Sequence, residues 1–390
     1  MDNASKTALF AVVDRKKGAD VHAFLKQHGW LDPSIETVTL DTTMIGFPLV
    51  FADLQAVDNN LLSGLPEDVE LRQHASSERS PVDPHQRMKV AVEDWFASHG
   101  LNIDDVAGAM PMKWERLGDL VLLPRVTMTH PAWKALRDHP DSDRLWQAIA
   151  QALNAVSLGV QGPIADDRFR SSQVEMLTGS SHVEFLDHGL RYAFDAAKVM
   201  FSSGNVTERR RIGSFNMEGE VVVDAYAGVG YYTFPMLVHA RASHVHACEI
   251  NPASLEALRK GAALNGIEGR LTVHPGDNAT TLPTLKGLAD RCHMGLLPSS
   301  EAVWEHGLLT LKPTGGMLHI HMNVEEEHIE SWCESTVEHV QSLAEKHGLA
   351  FSVKAEHLEK VKWFAPRVRH VVLDLRVTPV HPEREPSRRP

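Results

Sequence analysis

The sequence predicts a doubly wound α/β domain in the C-terminal half of the chain, and three strand-like runs carry that prediction. Residues 221–233, VVVDAYAGVGYYT, begin with three valines, reach Asp224 and continue into a turn with two glycines. An uninterrupted valine run is typical of a strand buried on both faces of a parallel sheet. The next strand-like run ends in Glu249, and a third is followed by Asp277. Since open α/β sheets bind ligands beyond the carboxyl ends of their strands, this order predicts a Rossmann-like nucleoside site.

The turn after the first strand favours a nucleoside over a nicotinamide dinucleotide. Gly228 and Gly230 allow a sharp turn and a close approach to a ligand, because neither carries a Cβ. The turn is not G-x-G-x-x-G, because Thr233 stands at the third glycine position. Glu249 is placed to accept hydrogen bonds from both hydroxyls of a ribose, and Asp277 can accept one from an adenine amino group. We therefore rank a nicotinamide-dependent dehydrogenase below a nucleoside-binding enzyme.

The composition is that of an ordinary globular protein. Of 390 residues, 43% are hydrophobic and 23% are charged, and the length allows two or three domains. No apolar run reaches the roughly 18 residues of a membrane span, and the N-terminus has no signal-peptide pattern, so we expect no membrane association. Three scattered cysteines exclude a C-x-x-C iron–sulfur site and a disulfide framework, and they fit a reducing, cytoplasmic location.

Histidine is frequent, yet the spacing predicts no metal site. His244 and His246 lie two residues apart in a strand-like run and so share a face, and the same holds for His319 and His321. No further ligand is spaced for zinc. Histidines in or beside a sheet are the simpler interpretation.

The formal charge of −12 requires any nucleic-acid contact to be local. Basic clusters occur at 209–211, at Lys360 and Lys362, and at Arg367 and Arg369. Each cluster is either an RNA contact or a solvated surface, and for the last four residues the pattern leaves both open. We expect no DNA partner.

Composition and periodicity divide the chain into five segments. The predicted segments are a small α+β domain at 1–75, a linker at 76–86, an α+β middle domain at 87–198, a Rossmann-like domain at 199–379 and a disordered tail at 380–390. TALFAVVD predicts a strand, and ADVHAFLKQHG predicts a helix that ends at Gly29. Farther on, a long amphipathic helical stretch is expected to break at Pro140, and residues 187–189 predict a hairpin turn.

Ordered segments of the chain resemble the tRNA wybutosine-synthesizing protein 2 family, which has the class I S-adenosylmethionine-dependent methyltransferase-type fold. The segments, between about residues 110 and 377, are KWERLGDLVLLP, RYAFD, MFSSGNVTERRR, VVDAYAGVGYYTFPMLVHA, HVHACEINP, GDNA, GLLPSSE, HIHMNV and WFAPRVRHVVLDL. The resemblance implies transfer of the 3-amino-3-carboxypropyl group of S-adenosylmethionine to C7 of 4-demethylwyosine at position 37 of tRNA(Phe), with 5′-methylthioadenosine as by-product. The implied partner is the tRNA(Phe) anticodon loop, contacted in part by the middle domain. We expect a monomer that needs no metal.

Two other functions stay open. The tRNA guanine-37 N1-methyltransferases share this fold and the glycine turn, but they have Asn-Leu-Pro after the fourth strand. Here Leu296 stands at the Asn position, within residues 295–300, and its side chain cannot hydrogen-bond a guanine edge. A non-catalytic RNA-binding protein on the same scaffold is the third hypothesis. Retention of all three strand-end acidic residues argues against it.

Groups around the amino-acid arm of S-adenosylmethionine must decide which group is transferred. A sulfonium has three carbons open to displacement, and the carbon held in line with the nucleophile reacts. Ser202 can hydrogen-bond the arm, and Arg209 can pair with its carboxylate or with a tRNA phosphate. Alternatively, Ser202 is only a turn residue, and Arg209 is only a charged residue on the surface of a helix. Pro298 and Ser299 are expected to shape the floor under the target base.

The resemblance and the motifs together define a set of predicted site residues. The predicted S-adenosylmethionine-binding residues are Ser202, Arg209, Asp224, Gly228, Gly230, Glu249, Asn251, Asp277 and Asn278, and the predicted positioning residues are Ser202, Arg209, Pro298 and Ser299.

Overall fold

The computed structural model describes residues 7–41, 43–57, 64–66, 68–77, 83–163, 165, 167–201 and 203–380. The chain divides into two units, Met1–Gln86 and Arg87–Pro390. The predicted site residue Ser202 lies outside the described residues, and so do residues 381–390 of the predicted tail and residues 78–82 of the predicted linker. Within the described ranges, no helix combines the length and the apolar character that a membrane crossing requires.

The first unit is built on a four-stranded antiparallel sheet. Its elements are the strands β1 (Thr7–Asp14), β2 (Val38–Thr39), β3 (Met44–Pro48) and β4 (Glu70–Ala75), in the order β2-β3-β1-β4, and the helix α1 (Gly18–Gln27). The predicted first strand and helix are therefore confirmed as β1 and α1. Leu9 and Val13 of β1 pack with α1, whereas Phe10 and Val12 pack on the opposite face. The sheet carries a core on each face because β1 is apolar at successive positions.

The second unit begins within α2 (Pro84–Ser98), whose first three residues precede Arg87, and continues with further helices and a small second sheet. These further elements are α3 (Asp104–Ala107), β5 (Glu115–Leu117), β6 (Leu120–Leu123), α4 (Arg125–Thr129), α5 (Pro131–Arg137), α6 (Ser142–Ala152), β7 (Ser157–Val160) and β8 (Glu175–Thr178). The strands lie in the order β5-β6-β7-β8. The predicted break near Pro140 is confirmed, because α5 ends and α6 begins on either side of it. Trp133 and Trp146 of these two helices pack in one core with α2 and the sheet.

The predicted hairpin is confirmed as β9 (His182–Asp187) and β10 (Leu190–Asp195), joined at His188 and Gly189, which both have positive φ. The hairpin forms a two-stranded sheet of its own, and its side chains share a core with Leu117 and Leu122 of the small sheet. Tyr192 of β10 packs in the same core as Phe234 of the C-terminal sheet layer. The hairpin therefore packs between the small sheet and the Rossmann-like core, at the end of the middle domain that the sequence predicts to extend to residue 198.

The large sheet confirms the doubly wound prediction. Its strands are β11 (Val221–Asp224), β12 (His244–Glu249), β13 (Leu271–Pro275), β14 (Arg291–Met294), β15 (Gly316–Glu325), β16 (Phe351–Ala365) and β17 (Val368–Pro379), and its helices are α7 (Val206–Gly213), α8 (Thr233–Val238), α9 (Pro252–Leu264), α10 (Asn278–Thr281), α11 (Trp304–Thr310) and α12 (Ile329–Lys346). The order is β13-β12-β11-β14-β15-β17-β16, parallel from β13 to β15, with β17 antiparallel to both neighbours. The strand order reverses at β11, so a crevice forms beyond its carboxyl end. Val222 and Val223 join the cores on opposite faces, as the uninterrupted valine run predicts.

Candidate active site

A cavity of about 490 Å³ lies beyond the carboxyl ends of β11, β12, β13 and β14, where the sequence predicts the nucleoside. This volume is typical of sites that hold small molecules. The residues lining it are 167–170, Val199, Met200, Asn205, Ala225, Tyr226, Gly228, Tyr231, Tyr232, 248–251, Ser254, 276–278 and 295–298. Six predicted site residues are among them: Gly228, Glu249, Asn251, Asp277, Asn278 and Pro298.

Glu249 ends β12, and three backbone N–H groups orient its carboxylate. Oε2 accepts a hydrogen bond from the N–H of Gly228 at 2.8 Å, and Oε1 accepts from those of Ile250 and Asn251 at 2.8 and 2.7 Å. A carboxylate has about four lone-pair positions, so roughly one, on Oε2, is left for a ligand. Burial raises the pKa of Glu249, although the three N–H groups oppose that shift. The carboxylate can thus accept from one ribose hydroxyl, whereas the sequence predicted two.

Both glycines of the turn pack against aromatic rings, and one of them also lines the cavity. Gly228 has φ +56° and lines the cavity, where its predicted place beside a ligand lies, and a Cβ on it would lie 2.4 Å from the ring of Tyr231. Gly230 has φ +98° and is not among the described lining residues. A Cβ on Gly230 would lie 2.4 Å from the ring of Phe234 in α8. The second glycine is therefore required for packing of the turn against α8, and its prediction as a binding residue is not supported by this position.

Asp224 lies beneath the cavity, fully buried, and is not among the described lining residues. Its Oδ2 accepts a hydrogen bond from the hydroxyl of Thr233 at 2.7 Å, and its Oδ1 lies 3.8 Å from Nδ1 of His293. The carboxylate thus ties β11 to the start of α8. The side chain points into the core beside Thr233, where it has a structural role. Its predicted contact with the ligand therefore has no support from this placement.

Asp277 and Asn251 line the cavity as caps of short helical segments. Oδ1 of Asp277 accepts from the N–H of Ala279 at 2.9 Å and so begins α10, while its Oδ2 pairs with Arg168 at 2.7 Å. Oδ1 of Asn251 accepts from the N–H of Ala253 at 2.9 Å and begins α9. These caps fix both side chains at the edge of the cavity.

Asn278 continues this edge of the cavity. Its Nδ2 donates to the carbonyl of Ala225, the first residue after β11, at 3.3 Å. The bond ties the segment that follows β13 to the segment that follows β11, and both segments line the cavity.

Arg209 lies away from the described cavity lining. Its side chain is 5% exposed, and its guanidinium pairs with Asp187, the last residue of β9, at 2.7 Å and lies 5.1 Å from the ring centre of Phe201. A guanidinium held in this way is not presented to a ligand in the cavity. The predicted pairing with the carboxylate of S-adenosylmethionine therefore has no support from this placement.

The segment after β14 supplies an apolar wall. Leu296, Leu297 and Pro298 line the cavity, and of these Pro298 was predicted for the floor under a base. Ser299 is not among the described lining residues, and its hydroxyl accepts from the N–H of Glu301 at 3.1 Å. The serine therefore shapes the following turn rather than the cavity surface.

The loop 167–170, which no sequence pattern above singled out, contributes Arg168 and Arg170 to the cavity lining. Arg168 pairs with Asp277, and Arg170 donates to the carbonyl of Leu297. Phe169 lies between them, 40% exposed. The run DDRFR, which follows Gly162 and Pro163, was the available signal, because it concentrates four charges and an aromatic ring in a loop.

A row of buried histidines lies behind Tyr232, whose ring centre is 4.2 Å from that of His293. Nε2 of His293 and Nε2 of His321 are 3.0 Å apart, and Nδ1 of His321 is 3.0 Å from Nε2 of His370. The row crosses β14, β15 and β17. The interpretation of His319 and His321 as histidines within a sheet is confirmed.

Two family models match adjacent parts of the second unit. The TYW2 N-terminal domain matches residues 102–182, and the TRM5/TYW2 methyltransferase domain matches residues 183–352. The two models meet at the start of the β9–β10 hairpin. The hairpin thus falls in the methyltransferase domain, in agreement with the shared core.

The chain is similar over most of its length to wybutosine-synthesizing proteins and to a solved structure. The tRNA wybutosine-synthesizing protein 2/3/4 of Arabidopsis thaliana is 36% identical over 93% of this chain, which spans 38% of that protein. The chain spans an even smaller share, 28%, of the Oryza sativa subsp. japonica relative of the same name. The tRNA wybutosine-synthesizing protein 2 homolog of Danio rerio is 35% identical over 95% of this chain and 94% of its own length. The crystal structure of P. horikoshii TYW2 in complex with MeSAdo is 28% identical, covers 74% of this chain and 99% of its own, and has a TM-score of 0.60.

The Danio rerio relative matches along nearly its whole length, and both family models match this chain in order. The large sheet and the cavity at its switch point have the form that the resemblance implies. The chain belongs to the tRNA wybutosine-synthesizing protein 2 family.

Proposed function

We propose that this protein transfers the 3-amino-3-carboxypropyl group of S-adenosylmethionine to C7 of 4-demethylwyosine at position 37 of tRNA(Phe), in wybutosine biosynthesis. The observation that carries the proposal is membership of the family together with a nucleoside-sized cavity at the switch point of the sheet. A related solved structure, P. horikoshii TYW2, is a complex with MeSAdo, which supports an adenosyl ligand in the same fold. We further propose a monomeric, cytoplasmic enzyme that acts on the anticodon loop and needs no metal.

The described residues fit the adenosyl part of S-adenosylmethionine. Glu249 presents one oriented acceptor for a ribose hydroxyl, and Gly228 lines the cavity beside it. Asp277 and Asn278 stand at the next strand end, where an adenine edge would meet polar side chains. The adenosyl part would thus be held between the ends of β11, β12 and β13.

Transfer of the longer carbon arm requires that its Cγ, and not the methyl carbon, faces the nucleobase. C7 forms the new bond to Cγ, the carbon–sulfur bond breaks, and its electron pair stays on sulfur to give neutral 5′-methylthioadenosine. C7 then loses its proton to water or to a carboxylate of the cavity. Arg168 and Arg170 line the cavity, so they replace Arg209 as candidates to orient the carboxylate of the arm.

Guanine-37 N1-methylation is the second candidate, and the apolar wall argues against it. Leu296 lines the cavity where the methyltransferases have the Asn of Asn-Leu-Pro. A leucine side chain cannot accept or donate a hydrogen bond to a guanine edge. The wall instead suits the flat face of a tricyclic base.

Identification of the nucleoside by-product separates these functions. The chain is incubated with S-adenosylmethionine and tRNA(Phe) that carries 4-demethylwyosine, and the products are analysed by mass spectrometry. We expect 5′-methylthioadenosine and an RNA mass increased by one aminocarboxypropyl group. S-Adenosylhomocysteine would indicate methyl transfer. Failure to bind S-adenosylmethionine in calorimetry would favour a non-catalytic RNA-binding protein.

A further inference from the structure

The end of the β16–β17 hairpin, residues 362–369, exposes two adjacent aromatic side chains. Trp363 is 52% exposed and Phe364 is 58% exposed. Among the described residues, the exposed large hydrophobic side chains include a single other aromatic one, Phe169 of the cavity loop. Neighbouring exposed aromatic rings are typical of a surface that receives a partner, whereas isolated exposed aliphatic residues need no such explanation.

Basic residues lie on the same hairpin as these rings, and one of them contacts Trp363. The guanidinium of Arg369 lies 3.7 Å from the ring centre of Trp363. Arg369 and Lys360 both pair with Glu326, which partly neutralises them. In the part of the chain that the structure describes, no carboxylate pairs with Lys362 or Arg367. The hairpin end thus combines stacking surfaces with unneutralised positive charge.

The hairpin end adjoins the edge of the cavity. A Cβ on Gly204 would lie 2.7 Å from Nζ of Lys362, so this ammonium group lies against the backbone of Gly204. The next residue, Asn205, lines the cavity. A ligand that extends out of the cavity past Asn205 would therefore meet the hairpin at Lys362, the residue before Trp363.

We propose that the hairpin end is an RNA-docking surface that holds an unpaired nucleotide next to the base under modification. A base stacks on Trp363 or Phe364, and Lys362 and Arg367 neutralise the adjoining phosphates. Proteins that hold single-stranded RNA combine aromatic platforms with a positively charged track in this way. The formal charge of −12 makes such a local cationic site necessary for a polyanionic substrate. The inference rests on the proposed function, because it takes tRNA as the substrate.

The test measures binding of a fluorescent, unmodified tRNA(Phe) transcript by anisotropy at several salt concentrations. We expect Trp363→Ala to weaken binding by about 5- to 30-fold and Trp363→Phe to retain most of it, because stacking needs an aromatic face. Arg367→Asn is expected to weaken binding and to lower the salt slope by about one, since one phosphate contact is lost. Asparagine tolerates the positive φ of +64° at this position, so the backbone is preserved. Affinity for S-adenosylmethionine, measured by calorimetry, should not change in these variants.

Arg241→Asn is the matched control. Arg241 is also exposed and has φ +61°, but it precedes β12 and lies at the amino ends of the strands, opposite the cavity. If Trp363→Ala and Arg367→Asn bind the transcript as tightly as the parent, the docking inference is overturned while the transferase proposal stands. Equal weakening by Arg241→Asn would overturn it too, because the loss would then be nonspecific. A parent protein that binds S-adenosylmethionine but not the transcript would contradict the tRNA part of both proposals.

Discussion

At the scale of single residues, burial separates the acidic side chains that the sequence treats alike. Asp224 and Glu249 both end strands of the large sheet. The carboxylate of Asp224 bonds to Thr233 inside the core, whereas that of Glu249 is oriented by backbone N–H groups at the cavity wall. We therefore expect a change at Asp224 to affect the stability of the fold and a change at Glu249 to affect binding of the ligand.

Glu249→Gln is expected to weaken S-adenosylmethionine binding by roughly tenfold or more, since hydrogen bonds to charged groups contribute about 1.5–3 kcal/mol. The amide NH2 would face backbone N–H groups that now donate to a carboxylate oxygen. Burial raises the pKa of Glu249, so affinity in the parent should be complete above that pKa and decline as pH falls through it. Calorimetry at pH 7.5 and pH 5 measures both effects.

The control for this prediction is Glu256→Gln, an exposed change on α9. It should leave affinity and pH dependence as they are in the parent. If the Glu249→Gln variant bound S-adenosylmethionine as tightly as the parent and with the same pH dependence, Glu249 would not be a ribose-binding residue.

At the scale of elements, the turn between β11 and α8 depends on two glycines for packing, Gly228 against Tyr231 and Gly230 against Phe234. Gly230→Ala should lower the free energy of unfolding by about 2–4 kcal/mol, because strain at positive φ is joined by a clash with Phe234. Gly266 has φ +65°, and no heavy atom lies within 4 Å of the position of a Cβ. Gly266→Ala therefore introduces backbone strain without a clash and should lower the free energy of unfolding by about 1 kcal/mol. Urea denaturation compares the two, and equal losses would contradict the packing role.

The histidine row that crosses β14, β15 and β17 predicts acid sensitivity. Burial lowers the pKa of His370 to about 4 and holds the pKa of His321 well below its ordinary value. In the unfolded chain these side chains protonate near pH 6.5, while the folded protein keeps them neutral. The unfolded state therefore binds more protons below pH 6.5, and the free energy of unfolding should fall as pH drops from about 6.5 to 4.

Thermal unfolding across this pH range tests the effect. His370→Gln should make the decline shallower, because one group that titrates only in the unfolded state is gone. His182→Gln changes a histidine whose side chain is 72% exposed and should leave the decline unchanged. A parent protein whose stability is constant between pH 7 and 4.5 would contradict the prediction.

At the scale of the whole molecule, the described lining of the cavity comes entirely from the second unit, between residues 167 and 298. The first unit has its own cores around β1. A truncated chain that starts at Asp83, just before α2, should therefore fold and bind S-adenosylmethionine with unchanged affinity. Circular dichroism melting and calorimetry check this, and aggregation or loss of binding would show that the second unit depends on the first.

Local patterns predicted much of the molecule. The valine run, the glycine turn and the strand-end acidic residues located β11, β12 and the cavity edge, because strand burial and turn geometry depend on neighbouring residues. The hairpin at His188 and the helix break near Pro140 followed from the same kind of signal. The roles of Asp224, Gly230 and Arg209 did not follow, because each depends on a partner side chain brought in by packing.

The sequence by itself therefore determined the doubly wound sheet, the end of the sheet at which a ligand would bind and the family. Only the tertiary structure decided which polar side chains reach that ligand. Arg168 and Arg170 meet Asp277 and Leu297 across 109 and 127 residues of chain. Periodicity reports which face of an element is buried, but it holds no information about contacts between elements so far apart, which arise only when the sheet and its loops pack together.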